Sequence, residues 1–158
     1  MVTIIIVIYK RDKKKLLKIL NKFRNKYNII LVDNSFNYDF SGIKITKKIK
    51  IIRSKNFGNG AGINTALKRC KTKFAIYSDI DVDFKINALK NLVNYAKKIK
   101  NFSVLVPNHG KLISKYNLLK KFSGEASMML FNVKKIKKIG FFDEKFFLYF
   151  EETDLFLR

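Results

Sequence analysis

Carboxylates are scarce in this chain, and they are gathered. Twelve Asp and Glu stand against 34 Lys and Arg in 158 residues, and nine of the twelve fall between Asp79 and Asp154. The densest group is Ser78-Asp79-Ile80-Asp81-Val82-Asp83. In extended backbone, residues two apart face the same way, so Asp79, Asp81 and Asp83 are expected to crowd three negative charges together. Such crowding is costly without a cation. An oxygen-only ligand set suits Mg2+ or Mn2+, held by one or two carboxylates plus the phosphates of a substrate. The competing reading makes these acids solvated turn residues, with Asp79 or Asp83 capping the helix that follows.

Two further segments carry chemistry-bearing residues. The loop Asn56-Phe57-Gly58-Asn59-Gly60-Ala61-Gly62-Ile63-Asn64 is glycine-rich. Ile63 occupies the last glycine position of the dinucleotide fingerprint, and nothing matches a phosphate-binding P-loop, which disfavours a nicotinamide cofactor. These glycines either let backbone approach a ligand or make a tight turn into a helix. Near the end, Phe146-Phe147-Leu148-Tyr149-Phe150 precedes Glu151-Glu152-Thr153-Asp154. An aromatic environment can desolvate a carboxylate and raise its pKa toward a general base's working range. The alternative is an aromatic core segment followed by acids in the first turn of a helix.

The elements that must position these residues alternate. Val2–Ile8 is an unbroken β-branched run with the pattern of a strand buried on both faces of a parallel sheet. Leu16, Leu17, Ile19, Leu20 and Phe23 lie at helical spacing within 11–26. Strands are expected at Ile29–Val32, Ile49–Ile52, Phe74–Tyr77, Ser103–Val106 and Ala126–Phe131, the last after Gly124, with helices from the glycine loop to Cys70 and over Asn87–Lys100. The expectation is one domain, an α/β three-layer sandwich on a mostly parallel sheet, with ligands beyond the carboxyl ends of the strands. Asp33-Asn34, the glycine loop and the Asp cluster all fall at such ends.

Composition excludes several classes. With 47% hydrophobic and 14% aromatic residues the chain is no disordered basic tail. One cysteine, Cys70, excludes an internal disulfide, and no Cys/His spacing fits a zinc module. No apolar run approaches the roughly twenty residues of a membrane span, and the early basic residues follow the apolar run where a secretory signal would put them first. A cytoplasmic location is the expectation. The net charge of +22 comes from lysines in nearly every segment. It reads either as compositional drift or as attraction to anionic lipid, phosphorylated ligands or, nonspecifically, nucleic acid.

The collinear order of the pieces resembles the family 2 glycosyltransferases of the GT-A fold, and more narrowly their rhamnosyltransferase-like branch. The elements that carry the resemblance are an initial strand, Val32-Asp33-Asn34-Ser35, the loop 56–64, the acids at 78–83, a glycine-led strand near Gly124, and the closing segment 139–158. The closing segment is the most specific, with a GFDE-like element, an aromatic run and an ED-x-D pattern. The resemblance implies a metal-dependent inverting transferase that uses a nucleoside-diphosphate sugar and a glycan or lipid-linked acceptor, in cell-surface polysaccharide synthesis, with possible peripheral contact at the inner membrane face. It implies that Asp33, with Asn34, contacts the nucleotide, that Asp79-x-Asp81 is the DxD motif holding Mg2+ or Mn2+ on the donor diphosphate, and that Asn56, Gly58, Gly60 and Asn64 line the donor pocket. Glu152, at the family's usual Asp position, is the expected base, with Glu151 beside it. His109, in Pro107-Asn108-His109-Gly110, reads as a loop residue and not a ligand. Family members normally continue past the position of Arg158, so a fragment or an inactive nucleotide-sugar-binding remnant is the alternative. A haloacid-dehalogenase-type phosphohydrolase is set aside because its DxD belongs on the first strand, and a specific nucleic-acid module has only charge in its favour.

Overall fold

A computed structural model describes residues 1–10, 12–107 and 127–158. The segment expected to hold His109, Gly124 and the first residue of the last strand, Ala126, lies outside the described residues. The elements are β1 (Val2–Ile8), α1 (Lys13–Phe23), β2 (Asn28–Asp33), β3 (Ile49–Arg53), α2 (Asn59–Leu67), β4 (Phe74–Ser78), α3 (Ile86–Lys98), β5 (Val104–Leu105), β6 (Met128–Asn132), α4 (Val133–Ile139) and α5 (Glu151–Leu157).

One six-stranded sheet in the order β3-β2-β1-β4-β6-β5 holds them together. β1 pairs in parallel with β2 and with β4, and β2 with β3, whereas β6 runs antiparallel to both β4 and β5. The β-branched run of β1 is central for the reason its composition gives: both faces are covered. Ile4, Ile6 and Ile8 point into a core layer with Leu16, Leu20 and Phe23 of α1 and Leu89 of α3. Ile5 points the other way, with Ile30, Val32, Tyr77, Ile63 and Leu67 of α2, Ile136 of α4 and Leu155 of α5. Period-two strands thus feed two helical layers, the three-layer sandwich expected from the alternation.

Helix ends follow local chemistry. Asp12 caps α1 by accepting from Lys14 N at 2.7 Å. Asn132 caps α4 in the same way, accepting from Lys135 N, and Gly140 closes that helix with φ +95°. Neither Asp79 nor Asp83 caps α3. The residue before that helix is Lys85, which makes no side-chain cap bond.

Candidate active site

The register of the parallel strands sets the site. Ile8, near the end of β1, lies opposite Asp33 of β2, and β4 runs alongside β1 to end at Ser78. Asp33, Asn34 and Asp79 therefore gather at one edge, the carboxyl ends of β1, β2 and β4. Asp33 is buried, and its two oxygens accept the backbone N–H groups of Ser35 at 2.8 Å and Tyr38 at 2.9 Å, which shapes the turn after β2. Asn34 is also buried. Its Nδ2 donates to the Gly58 carbonyl at 3.1 Å, tying β2 to the glycine loop, while its Oδ1 has no partner among the described residues.

Within the glycine loop the structure shows close approach of the chain to itself. Gly58 has φ +98°, and a Cβ there would run into the Phe147 carbonyl. At Gly62 a Cβ would meet Val7 Cγ1 at 2.7 Å and Asn34 Nδ2 at 2.9 Å. Asn56 accepts the Gly58 N–H, so it stabilises the entry into α2. Asn64 is buried on α2 and reaches the 142–144 segment. Its Oδ1 accepts from Phe142 N at 3.0 Å, and its Nδ2 lies 2.9 Å from both Phe142 O and Glu144 Oε1. That polar lock, beside the Lys68–Glu144 pair, holds Glu144 below its ordinary pKa.

The three-acid cluster is not arranged as expected. Extended chain ends at Ser78, and residues 79–82 make a turn closed by Val82 N on Asp79 O at 3.1 Å, so the alternation that would align Asp79, Asp81 and Asp83 is lost. Asp83 instead pairs with Lys18 at 2.8 Å and Lys22 at 2.6 Å, which lowers its pKa to about 2. Asp81 pairs with Lys15 at 2.7 Å. Asp79 accepts a hydrogen bond from the Tyr77 hydroxyl, which also lies 3.0 Å from Asn59 Oδ1. Tyr77 is fully buried, and its pKa stands well above 10.0 through desolvation and then the Asp79 charge. Among the described residues no three His, Cys, Asp or Glu side chains gather to hold a metal. Two oxygen ligands are nevertheless enough for an ion that arrives on a diphosphate.

The carboxylates at the start of α5 are brought in from the far end of the chain. Glu151 is 4% exposed, its Oε2 has no partner among the described residues, and its Cγ lies 3.4 Å from where a Cβ of Gly60 would stand. Burial raises its pKa, with the charges of Glu152 and Asp79 adding to the effect and its own backbone N–H opposing it. Glu152 is half-buried. Desolvation of a carboxylate, one of the two readings of this segment, is found at Glu151, but the aromatic run is not its source. Phe147, Leu148, Tyr149 and Phe150 are all more than half exposed, so the aromatic run is no core segment, and Glu151 is buried against the glycine helix. Tyr149 and Phe150 have φ +67° and +65°, an uncommon conformation for aromatic residues, in the turn that swings α5 inward. Arg158 braces α5 by donating to Ile139 O, Phe141 O and Asp154 Oδ2.

Sequence reasoning missed Tyr77 and Lys15. The signal for Tyr77 was a hydroxyl inside an otherwise apolar strand. Lys15 gave none, being one lysine among many.

A strand-end pair of acids, a glycine loop beside it and a late acidic pair brought back to the same sheet define an α/β domain with its polar residues gathered at the carboxyl ends of the strands. Residues 3–155 match the model of glycosyl transferase family 2, and the chain belongs to that family. Solved structures share its GT-A fold. The mannosyltransferase PcManGT of Pyrobaculum calidifontis, in complex with GDP-Man and Mn2+, is 15% identical with a TM-score of 0.70, over 98% of this chain and 50% of that one. S. aureus TarS 1-349 in complex with UDP-GlcNAc is 17% identical with a TM-score of 0.68, over 99% and 52%. GalNAc-T7 with UDP, GalNAc and Mn2+ is 13% identical with a TM-score of 0.76, over 98% and 39%. The chain thus spans about half or less of each of these structures. No curated protein matches it.

Proposed function

We propose that this domain is an inverting glycosyltransferase of the rhamnosyltransferase-like branch, moving a sugar from a nucleoside-diphosphate sugar to a hydroxyl of a glycan or lipid-linked acceptor. The observation that carries the reading is that Glu151, the neighbour of Glu152, feels the charge of Asp79 at the carboxyl end of β4, in a chain that belongs to the family. Asp33 and Asn34 form the nucleotide side of the pocket, and the loop carrying Asn56, Gly58, Gly60 and Asn64 forms its wall. Asp79, oriented by Tyr77, and Asp81 are the ligands for Mg2+ or Mn2+. When bound, the ion offsets charge growing on the departing diphosphate.

Glu152 is the base. Glu151 is too enclosed to meet an acceptor arriving from solvent, whereas Glu152 is half-buried on the same turn. Its carboxylate takes the proton of the acceptor hydroxyl while that oxygen bonds to the anomeric carbon and the bond to the diphosphate oxygen breaks. One displacement inverts the centre, and the proton ends on Glu152. A cytoplasmic domain resting on anionic lipid fits the +22 charge and the exposed Phe57, Phe147, Leu148, Tyr149 and Phe150. No helix among the described residues is long and apolar enough to cross a membrane.

Release of nucleoside diphosphate from a panel of nucleoside-diphosphate sugars, with lipid and glycan extracts as acceptors, tests the assignment. Glu152→Gln is expected to slow turnover by about 10²–10⁴-fold with donor affinity retained. Unchanged turnover in that variant removes Glu152 from the role of base.

A further inference from the structure

The lysines of α1 divide their targets. Lys18 and Lys22 both reach Asp83, at 2.8 and 2.6 Å, away from the strand end. Lys15 reaches Asp81 at 2.7 Å, through a pair that is 54% exposed on the lysine and 46% on the aspartate. We propose that Lys15 is the resident counter-ion of Asp81, one that a divalent cation displaces on arrival and that then pairs with the donor's diphosphate. This rests on the reading of Asp81 as a ligand in the donor site.

Three features lead to it. An ammonium at 2.7 Å engages one of the two Asp81 oxygens, and a divalent ion placed on the same carboxylate would repel it, which favours exchange over joint binding. The exposure of both partners leaves the lysine free to swing, because such pairs are weak and hold a flexible stem in one geometry at an entropic cost. Lys15 lies in the first turn of α1, the helix that follows β1, and its pair with Asp81 brings it to the segment just past the end of β4. A displaced ammonium there is a mobile point charge with three donors, suited to phosphate oxygens.

Opposite effects of one substitution make the test specific. Mn2+ binding is read without nucleotide, from the loss of the free-ion electron paramagnetic resonance signal. Binding of uridine and guanosine diphosphates at saturating Mn2+ is read by calorimetry. Lys15→Met is expected to bind Mn2+ about 1.5- to 5-fold more tightly, the range of an exposed pair, and the diphosphate more weakly. Lys15→Arg, which keeps the charge, should restore both toward wild type, and Lys18→Met should change neither. The inference is overturned if Lys15→Met leaves both constants unchanged, weakens both, or is matched by Lys18→Met while Mn2+ binding still depends on Asp81. Mn2+ binding that Asp81→Asn does not reduce instead overturns the donor-site reading, and this inference with it.

Discussion

Glu151 is a carboxyl group in a place that penalises its charge. Its folded pKa is raised above the ordinary 4.5 by burial and then by Glu152 and Asp79, so between those two values the folded chain holds a proton that the unfolded chain has released. Stability therefore falls as pH rises through that window. Glu151→Gln, which cannot ionise, is expected to melt at a higher temperature than wild type at pH 7. The advantage should close as pH is lowered to about 4.5, and a difference independent of pH would mean that the charge is not penalised. The sequence placed the acidic pair correctly at the start of a helix. Which member is enclosed and which faces outward depends on how the 147–150 turn enters α5, and spacing along the chain does not carry that information. Tyr77 was hidden for a similar reason, since a tyrosine in an apolar strand looks like core until its hydroxyl is found on Asp79.

At the scale of elements, the glycine loop and the closing segment form one unit. Gly58 supplies a backbone conformation that side chains rarely adopt, and it leaves room for the Phe147 carbonyl. Gly58→Ala is expected to cost at least about 1–3 kcal/mol for the backbone conformation alone, before the collision with Phe147 is counted. Urea denaturation measures it, and a loss below about 0.5 kcal/mol would show that the contact is slack. The continuous apolar runs of β1, β2 and β4 were legible because both faces of a central strand must be apolar. The Asp cluster was misread because alternation was extended past Ser78, where a turn begins and Lys18 and Lys22 draw Asp83 aside. The 147–150 run was misread too, because aromatic composition reports hydrophobicity and not whether a partner covers it. Helix α4 was overlooked, although Val133, Ile136 and Ile139 stand at three-residue spacing among lysines.

For the molecule as a whole, the sheet order places the ends of β1, β2 and β4 together and leaves the antiparallel β6 to carry the chain toward α4. That arrangement lets residues as far apart as Asp33, Asp79 and Glu151 share one edge, which is what the proposed donor site requires. The most direct test is thermal unfolding with Mn2+ against uridine, thymidine and guanosine diphosphates and their sugars, with Asp81→Asn in parallel. A nucleotide at 100 times its Kd stabilises the fold by about 2.7 kcal/mol, or about 5–10 °C in a chain of this size. One nucleotide class should give that shift, only with Mn2+ and only with Asp81 intact. A folded protein that no nucleotide stabilises, or one stabilised equally in Asp81→Asn, would contradict the donor site.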